Sequence, residues 1–244
     1  MSNQDGAHPL DQVIWNALTT VHRTFAEGDE RARRYRATVA PFAATIDLDP
    51  HSLESLLTLI NSSADQIALF TTQEVEPPSE FSNLRRAAVD QMVLVDAEAC
   101  AAVPATGVIR LTEIDVPEML ALTRATQPGP FLARTIELGE YLGVRRGGVL
   151  VAMIGERMRL EGFTEISAVC VDPAYRGQRL ADTLVRSLVE SIIARSETPF
   201  LHVFSSNHQA IRLYQKLGFK LRRQLHLLVL GKADIGEHLG SIKT

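Results

Sequence analysis

The segment between Thr164 and Ile193 constrains this chain more than any other. The run 164–171 reads as a strand stopped by Asp172-Pro173, and past Arg176-Gly177 the hydrophobic period changes. Leu180, Leu184, Leu188 and Ile192, flanked by Ala181, Val185, Val189 and Ile193, form one broad apolar stripe. Asp182, Arg186 and Glu190 stand four apart outside it. A strand, a tight turn and a long amphipathic helix therefore follow one another. A glycine turn entering a helix leaves backbone N–H groups without internal partners, where the helix dipole also favours negative charge. A pyrophosphate fits there. Ala181 is small enough to admit a ligand close to the backbone, and Arg176 or Arg179 can add a charge-assisted hydrogen bond. The turn lacks the Gly-Lys-Ser/Thr ending of a P-loop and the Gly-x-Gly-x-x-Gly of dinucleotide folds. Coenzyme A is the remaining common pyrophosphate ligand.

Composition sets the frame. The chain has 244 residues, 45% hydrophobic and 22% charged, which supports burial of one large core or two small ones. A net charge of -4 gives no electrostatic reason to seek nucleic acid or anionic membrane, so a small soluble partner is expected. Cys100 and Cys170 are too few for a disulfide framework, which suits a reducing compartment. The polar start MSNQDGAHPL is no signal region, and apolar runs such as 147–155 and 225–230 fall far short of the roughly 20 residues that cross a bilayer. A cytoplasmic protein is expected. The seven histidines show no paired spacing with a third ligand, so no metal is expected.

Along the chain, 9–25 reads as an amphipathic helix and the arginine-rich 30–36 as a solvated helix end. Asp49-Pro50 opens a short buried helix, 66–70 is a strand, 74–80 breaks regular structure with two prolines, and 87–95 is another strand. A composition shift places a boundary near residue 105, dividing an N-terminal α/β region, 1–105, from a second domain, 106–244. In the latter, 108–111 is a strand, 116–122 and 131–138 are helices, and 141–145 and 149–160 are strands around Arg146-Gly147-Gly148. The pattern closes with strand 200–204, helix 207–217 ended by Gly218, and strand 225–230.

Two motifs in this second domain resemble the GNAT acetyltransferase superfamily. Val171-Asp172-Pro173-Ala174-Tyr175-Arg176-Gly177 is similar to the approach to its acetyl-CoA loop, which reads Arg/Gln-x-x-Gly-x-Gly/Ala. Asn207 through Tyr214-Gln215-Lys216-Leu217-Gly218-Phe219 is similar to its later Asn, Tyr and Gly-Phe signature. The resemblance covers roughly residues 108–230 and is nearest to the glycine N-acyltransferase-like branch, in which an N-terminal region precedes the acetyltransferase domain. It implies an α/β (α+β) fold with a mixed, mostly antiparallel sheet flanked by helices, and acetyl-CoA as co-substrate.

Carried onto this chain, the resemblance implies that Val169, Cys170 and Val171 offer backbone groups to the pantetheine arm. Arg176, Gly177, Gln178, Arg179, Leu180, Ala181 and Asp182 would hold the pyrophosphate. Asn207 would contact the cofactor, and Tyr214 would protonate the departing thiolate; taken singly, a helix cap and a core aromatic explain those two as well. Arg179 replaces a glycine of the family loop. A positive φ there would cost roughly 1 kcal/mol or more, whereas a place inside the first helical turn costs nothing, and the latter is expected.

Acyl transfer from a thioester requires a neutral amine against the carbonyl, a donor for the developing negative charge, and protonation of sulfur. The backbone N–H of Val169 or Val171 is a candidate donor, because the superfamily's strand bulges and splays there. For a base the candidates are Glu165, placed by alternation on the face of Ser167, Val169 and Val171, and His202 on the next strand; water-relayed deprotonation needs neither. Cys170, expected opposite Glu165, reads as a small buried hydrophobe. The expected activity is direct acetyl transfer to the primary amine of a small molecule or peptide, with no metal, and a homodimer as the assembly to test. The rivals are a non-catalytic CoA-thioester sensor and an acyltransferase for longer acyl chains.

Overall fold

A computed structural model describes residues 8–101 and 107–233. Its N-terminal part holds helix α1 (Val13–Thr19), strands β1 (Ala26–Gly28), β2 (Ala32–Tyr35) and β3 (Ala43–Thr45), helix α2 (Pro50–Thr58), and strands β4 (Ile67–Thr71) and β5 (Phe81–Leu94). Then come β6 (Val108–Arg110), α3 (Val116–Thr126), β7 (Tyr141–Arg146), β8 (Val149–Leu160), β9 (Phe163–Val171), α4 (Leu180–Ala194), β10 (Thr198–Phe204), α5 (His208–Lys216) and β11 (Phe219–Lys232). β1, β2 and β3 form a small sheet; the other eight strands form one large sheet in the order β4-β11-β5-β10-β9-β8-β7-β6. Every neighbouring pair in it is antiparallel except β9 and β10, which α4 joins by a crossover. This is the expected mixed, mostly antiparallel sheet flanked by helices.

Residue 105 does not divide two sheets. β5 comes before it in the chain yet lies between β10 and β11, which come after. The reason is legible in β5 itself: Val89 and Gln91 are buried on one face and Met92 and Leu94 beside them, so the strand needs cover on both sides and takes a central place.

The two faces of the sheet are covered differently. On one, α4 presents Leu184, Val185, Leu188 and Ile192 to Ile154, Ile166, Leu201 and Val203, joined by Tyr214 and Leu217 at the end of α5. Ile193 stays 41% exposed, so the working stripe is narrower than the sequence pattern. On the other face, Leu10 just ahead of α1 and Val13, Ile14 and Leu18 on it pack against Met158, Leu160 and Phe200, while α3 covers Tyr141, Met153, Ala168 and Cys170.

Several local expectations change in three dimensions. Segment 30–36 is no solvated helix end: it contains β2, and Arg34 is buried because its guanidinium binds Asp65 at 2.6 Å and the carbonyl of Leu59 at 2.7 Å. In 131–138 only Thr135–Leu138 forms a 3-10 turn, since the Thr135 hydroxyl accepts from the Leu132 N–H and donates to the Val39 carbonyl, fixing an irregular path. Segment 9–25 is three short pieces, a 3-10 turn (Pro9–Gln12), α1 and a second 3-10 turn (Arg23–Phe25). Asp49 caps α2 as expected, its carboxylate accepting from the His51 N–H. The β7–β8 hairpin turns through Gly147 and Gly148, both at positive φ, as a two-residue turn requires.

Candidate active site

The site begins where β9 parts from β10. Their parallel pairing runs from Thr198 opposite Phe163 to Leu201 opposite Ile166 and goes no further, so residues 167–171 keep β8 as partner and present their other edge to a widening gap. Ala168 sits at φ 52, and the β8–β9 register slips between Met153 and Gly155. This is a bulge, and it reverses the alternation of the strand. Val169 and Val171 join the α4 face with Ile166, while Ala168 and Cys170 join the α3 face.

That reversal corrects an expectation. Glu165 does not share a face with Val169 and Val171, and Cys170 is not opposite it. Glu165 is wholly buried on the α1 side, its carboxylate held by Arg157 at 2.5 and 2.9 Å and by His202 Nδ1 at 2.7 Å. Burial works to raise its pKa, but Arg157 and then His202 outweigh it and hold the carboxyl down at about 2. A carboxylate so engaged is a poor proton acceptor. His202 is no freer: its side chain is 2% exposed, Nε2 meets the Gln91 amide at 3.0 Å, and the ring lies 4.5 Å from that of Phe70. The network continues from Gln91 to Arg222 and from Arg222 to Asp11 beside α1. The two sequence-predicted bases are thus brought together, as parts of the tie between the N-terminal region and the sheet.

At the far end of the gap lies the turn into α4. The Asp172 side chain accepts from the Ala174 N–H and starts a 3-10 turn (Pro173–Tyr175). Gly177 stands at φ 78, with open space where a Cβ would be. Arg179 is the N-cap of α4 at φ 60, ψ 18, so the expected place inside the helix is overturned. The left-handed backbone costs about 1 kcal/mol for a non-glycine side chain. The Arg179 guanidinium is largely exposed and meets Asp182 at 3.3 Å. No side chain caps the helix, and its first helical bond runs from the Thr183 N–H to the Arg179 carbonyl. The N–H groups of Leu180, Ala181 and Asp182 therefore point outward without helical partners. The Asp182 carboxylate is engaged by Arg186, which also donates to the carbonyls of Ala99 and Ala101. An anion such as a diphosphate fits these main-chain donors.

Asn207 acts as the N-cap of α5, its Oδ1 accepting from the Ala210 N–H at 3.1 Å. Tyr214 lies on the α4 face in one apolar cluster with Val169, Val171 and Tyr175, edge-on to Phe219. Burial pushes its phenol up to about 12, so it holds its proton at neutral pH, and its hydroxyl has no hydrogen-bond partner among the described residues. Burial likewise raises the Cys170 thiol to about 11, as befits a core residue. The bulge that the resemblance implied for this stretch is centred on Ala168. Two features here escaped the sequence pattern: the Arg157 partner of Glu165, and Tyr141. Gly155 inside a strand was a signal for the last, because such a glycine marks a close approach.

The fold that carries this site is shared with known proteins. The sequence model of the FR47-like protein family matches residues 141–227. A crystal structure of a GNAT-family protein from Novosphingobium aromaticivorans is 39% identical, with a TM-score of 0.86 over 93% of this chain and 99% of that one. The chain belongs to the GNAT family. Among curated relatives, the N-alpha-acetyltransferase RimI of Mycobacterium tuberculosis is 37% identical over 92 residues, covering 35% of this chain and 57% of that protein. A ribosomal protein bS18-alanine N-acetyltransferase of Bacillus subtilis, itself an unproven assignment, is 35% identical, covering 33% of this chain and 53% of its own length. The chain thus spans little more than half of these relatives. A GCN5-related N-acetyltransferase from Kribbella flavida, 16% identical, shares the fold at a TM-score of 0.62 over 96% of this chain and 98% of that one. No described helix is long and apolar enough to cross a membrane, and no cluster of three metal-ligating side chains occurs among the described residues.

Proposed function

We propose that this GNAT protein transfers the acetyl group of acetyl-CoA directly to a primary amine. The observation that carries the reading is the gap between β9 and β10, open along residues 167–171 and ending at the unpartnered N–H groups of α4. Main-chain groups of Val169, Cys170 and Val171 suit an extended pantetheine arm, in the manner of an added strand. Arg176, Gly177, Gln178, Arg179, Leu180, Ala181 and Asp182 suit the diphosphate. Asn207 retains only its amide nitrogen for a ligand, since its oxygen caps α5.

The chemistry needs little else. The amine nitrogen attacks the thioester carbonyl carbon, a C–N bond forms and the C–S bond breaks. The departing thiolate takes the Tyr214 proton, and the amine sheds one of its own to water, which restores the phenol. An amide and free CoA result. With Glu165 and His202 committed to the tie beneath the sheet, water carries the proton from the amine.

The acetyltransferase relatives named for protein N-termini make a peptide α-amine one acceptor to test, beside amino acids, polyamines and aminoglycosides. The N-terminal region ahead of the acetyltransferase part supports the glycine N-acyltransferase-like branch, with β4 and β5 completing the sheet and α1 walling one face. Calorimetry with CoA tests the cofactor, and release of CoA across the amine panel tests the reaction. Absence of CoA binding at millimolar concentration would sink the reading.

A further inference from the structure

Tyr141 carries a hydroxyl that the fold does not use. Its side chain is 1% exposed, and the hydroxyl oxygen has no hydrogen-bond partner among the described residues. Its apolar neighbours on this face are Leu111, Met119, Leu122, Phe131 and Met153, none of which accepts a hydrogen bond from it. The carboxylates on the same side are engaged elsewhere, Glu156 by Arg195 and Glu165 by Arg157 and His202. A phenylalanine would fill this space without burying an unpaired polar group, so the hydroxyl needs a reason to be there.

The ring's direction supplies one. Tyr141 on β7 pairs with Gly155 on β8, which pairs with Ser167 on β9. A Cβ on Gly155 would lie 2.1–2.5 Å from Cε1, Cδ1 and Cζ of the ring. The ring therefore lies across β8 at a position only glycine leaves clear, and its hydroxyl end is carried toward β9 at the level of Ser167 and Ala168. That is the bulge, and Tyr141 packs in one cluster with Ala168 and Cys170. Tyr214 approaches the same stretch of β9 from the opposite face.

We propose that the Tyr141 hydroxyl donates a hydrogen bond to the acyl carbonyl oxygen of the bound thioester, from the α3 side of the bulge. The proposal rests on the acetyl-CoA reading above. Burial keeps the phenol protonated well above its ordinary range, so it serves as a donor and not as a base. Water is excluded from this position, where such a donor stabilises developing charge most effectively.

Infrared difference spectroscopy of acetyl-CoA labelled with carbon-13 at the carbonyl reads this bond directly and needs no acceptor amine. In the unaltered protein the bound carbonyl band should lie below that of the ligand in water. Tyr141→Phe should melt no lower, bind CoA with unchanged Kd, and return the band toward the solution frequency. Phe131→Leu, which repacks a ring 5.6 Å from Tyr141 and keeps the hydroxyl, should leave the band in place. Should Tyr141→Phe not fold, 3-fluorotyrosine at position 141 substitutes, its more acidic phenol moving the band further down. An unmoved band in Tyr141→Phe, or in the fluorinated protein, overturns the proposal while CoA binding preserves the acetyl-CoA reading. Failure of the unaltered protein to bind CoA overturns both.

Discussion

The two faces of the large sheet solve different problems. The α4 and α5 face is held by aliphatic packing, and what it offers a ligand is main chain: the open edge of β9 and the N–H groups at the start of α4. The α1 face carries a line of polar side chains, buried at Arg157, Glu165, His202 and Gln91 and half-buried at Arg222 and Asp11, linking α1 to the sheet. The residues that look most chemical in the sequence, Glu165 and His202, are therefore engaged within the fold. On the readings proposed above, the chemistry falls to a bulge, an uncapped helix and two phenols, because a buried charge must be fully paired and a fully paired charge has little left to give a substrate.

The largest expected effect is on the α1 face. Glu165→Ala leaves Arg157 buried without its partner and should lower stability by about 3–5 kcal/mol in urea titration. A loss of acetyl transfer at full stability would instead return Glu165 to the catalytic machinery. On the other face, Tyr214→Phe should lower kcat by about 10²-fold with little change in Kd for acetyl-CoA, and an unchanged kcat removes Tyr214 from the acid role.

The pH dependence of stability sharpens the same contrast. The Glu165 carboxyl sits at about 2 in the folded protein against an ordinary 4.5. Its folded pKa is depressed, so its contribution is fully present above the ordinary value and is lost as pH falls from roughly 5 to 2. Melting temperatures across that window should fall steeply, and less so in Glu165→Gln; equal slopes would show that the acid sensitivity arises elsewhere.

The smallest effect is at the α4 turn. Arg179→Gly should stabilise the protein by about 1 kcal/mol by relieving the left-handed backbone. Unchanged Kd for CoA would then assign the grip to the main chain, whereas a weaker Kd would give the exposed guanidinium a share. A melting temperature that does not rise counts against strain at this position.

Much of the architecture could be read residue by residue. The apolar stripe of α4, the Asp49 cap of α2, the paired glycines of the β7–β8 hairpin and Asn207 ahead of α5 are signals carried by a few neighbouring residues. The strands were legible but shorter in the pattern than in the fold: 87–95 against Phe81–Leu94, and 225–230 against Phe219–Lys232. Charged and polar residues in their outer halves gain ladder partners from each other, β5 pairing with β11, which no local pattern reveals. Arg34 misled for a related reason, since an arginine reads as solvated until Asp65, 31 residues away, is seen beside it.

The sequence alone determined most strands of the large sheet, the turn into α4, the position of Tyr214 on α5 and the family to which these belong, because periodicity, caps and turn residues act over a few positions. Only the tertiary structure decided that β5 completes the sheet across residue 105, that a bulge at Ala168 turns Glu165 away from Val169 and Val171, that Arg179 is left-handed, and that Tyr141 crosses Gly155 to reach β9. Each of these depends on which distant strand lies alongside, and a one-residue slip in a strand exchanges its two faces.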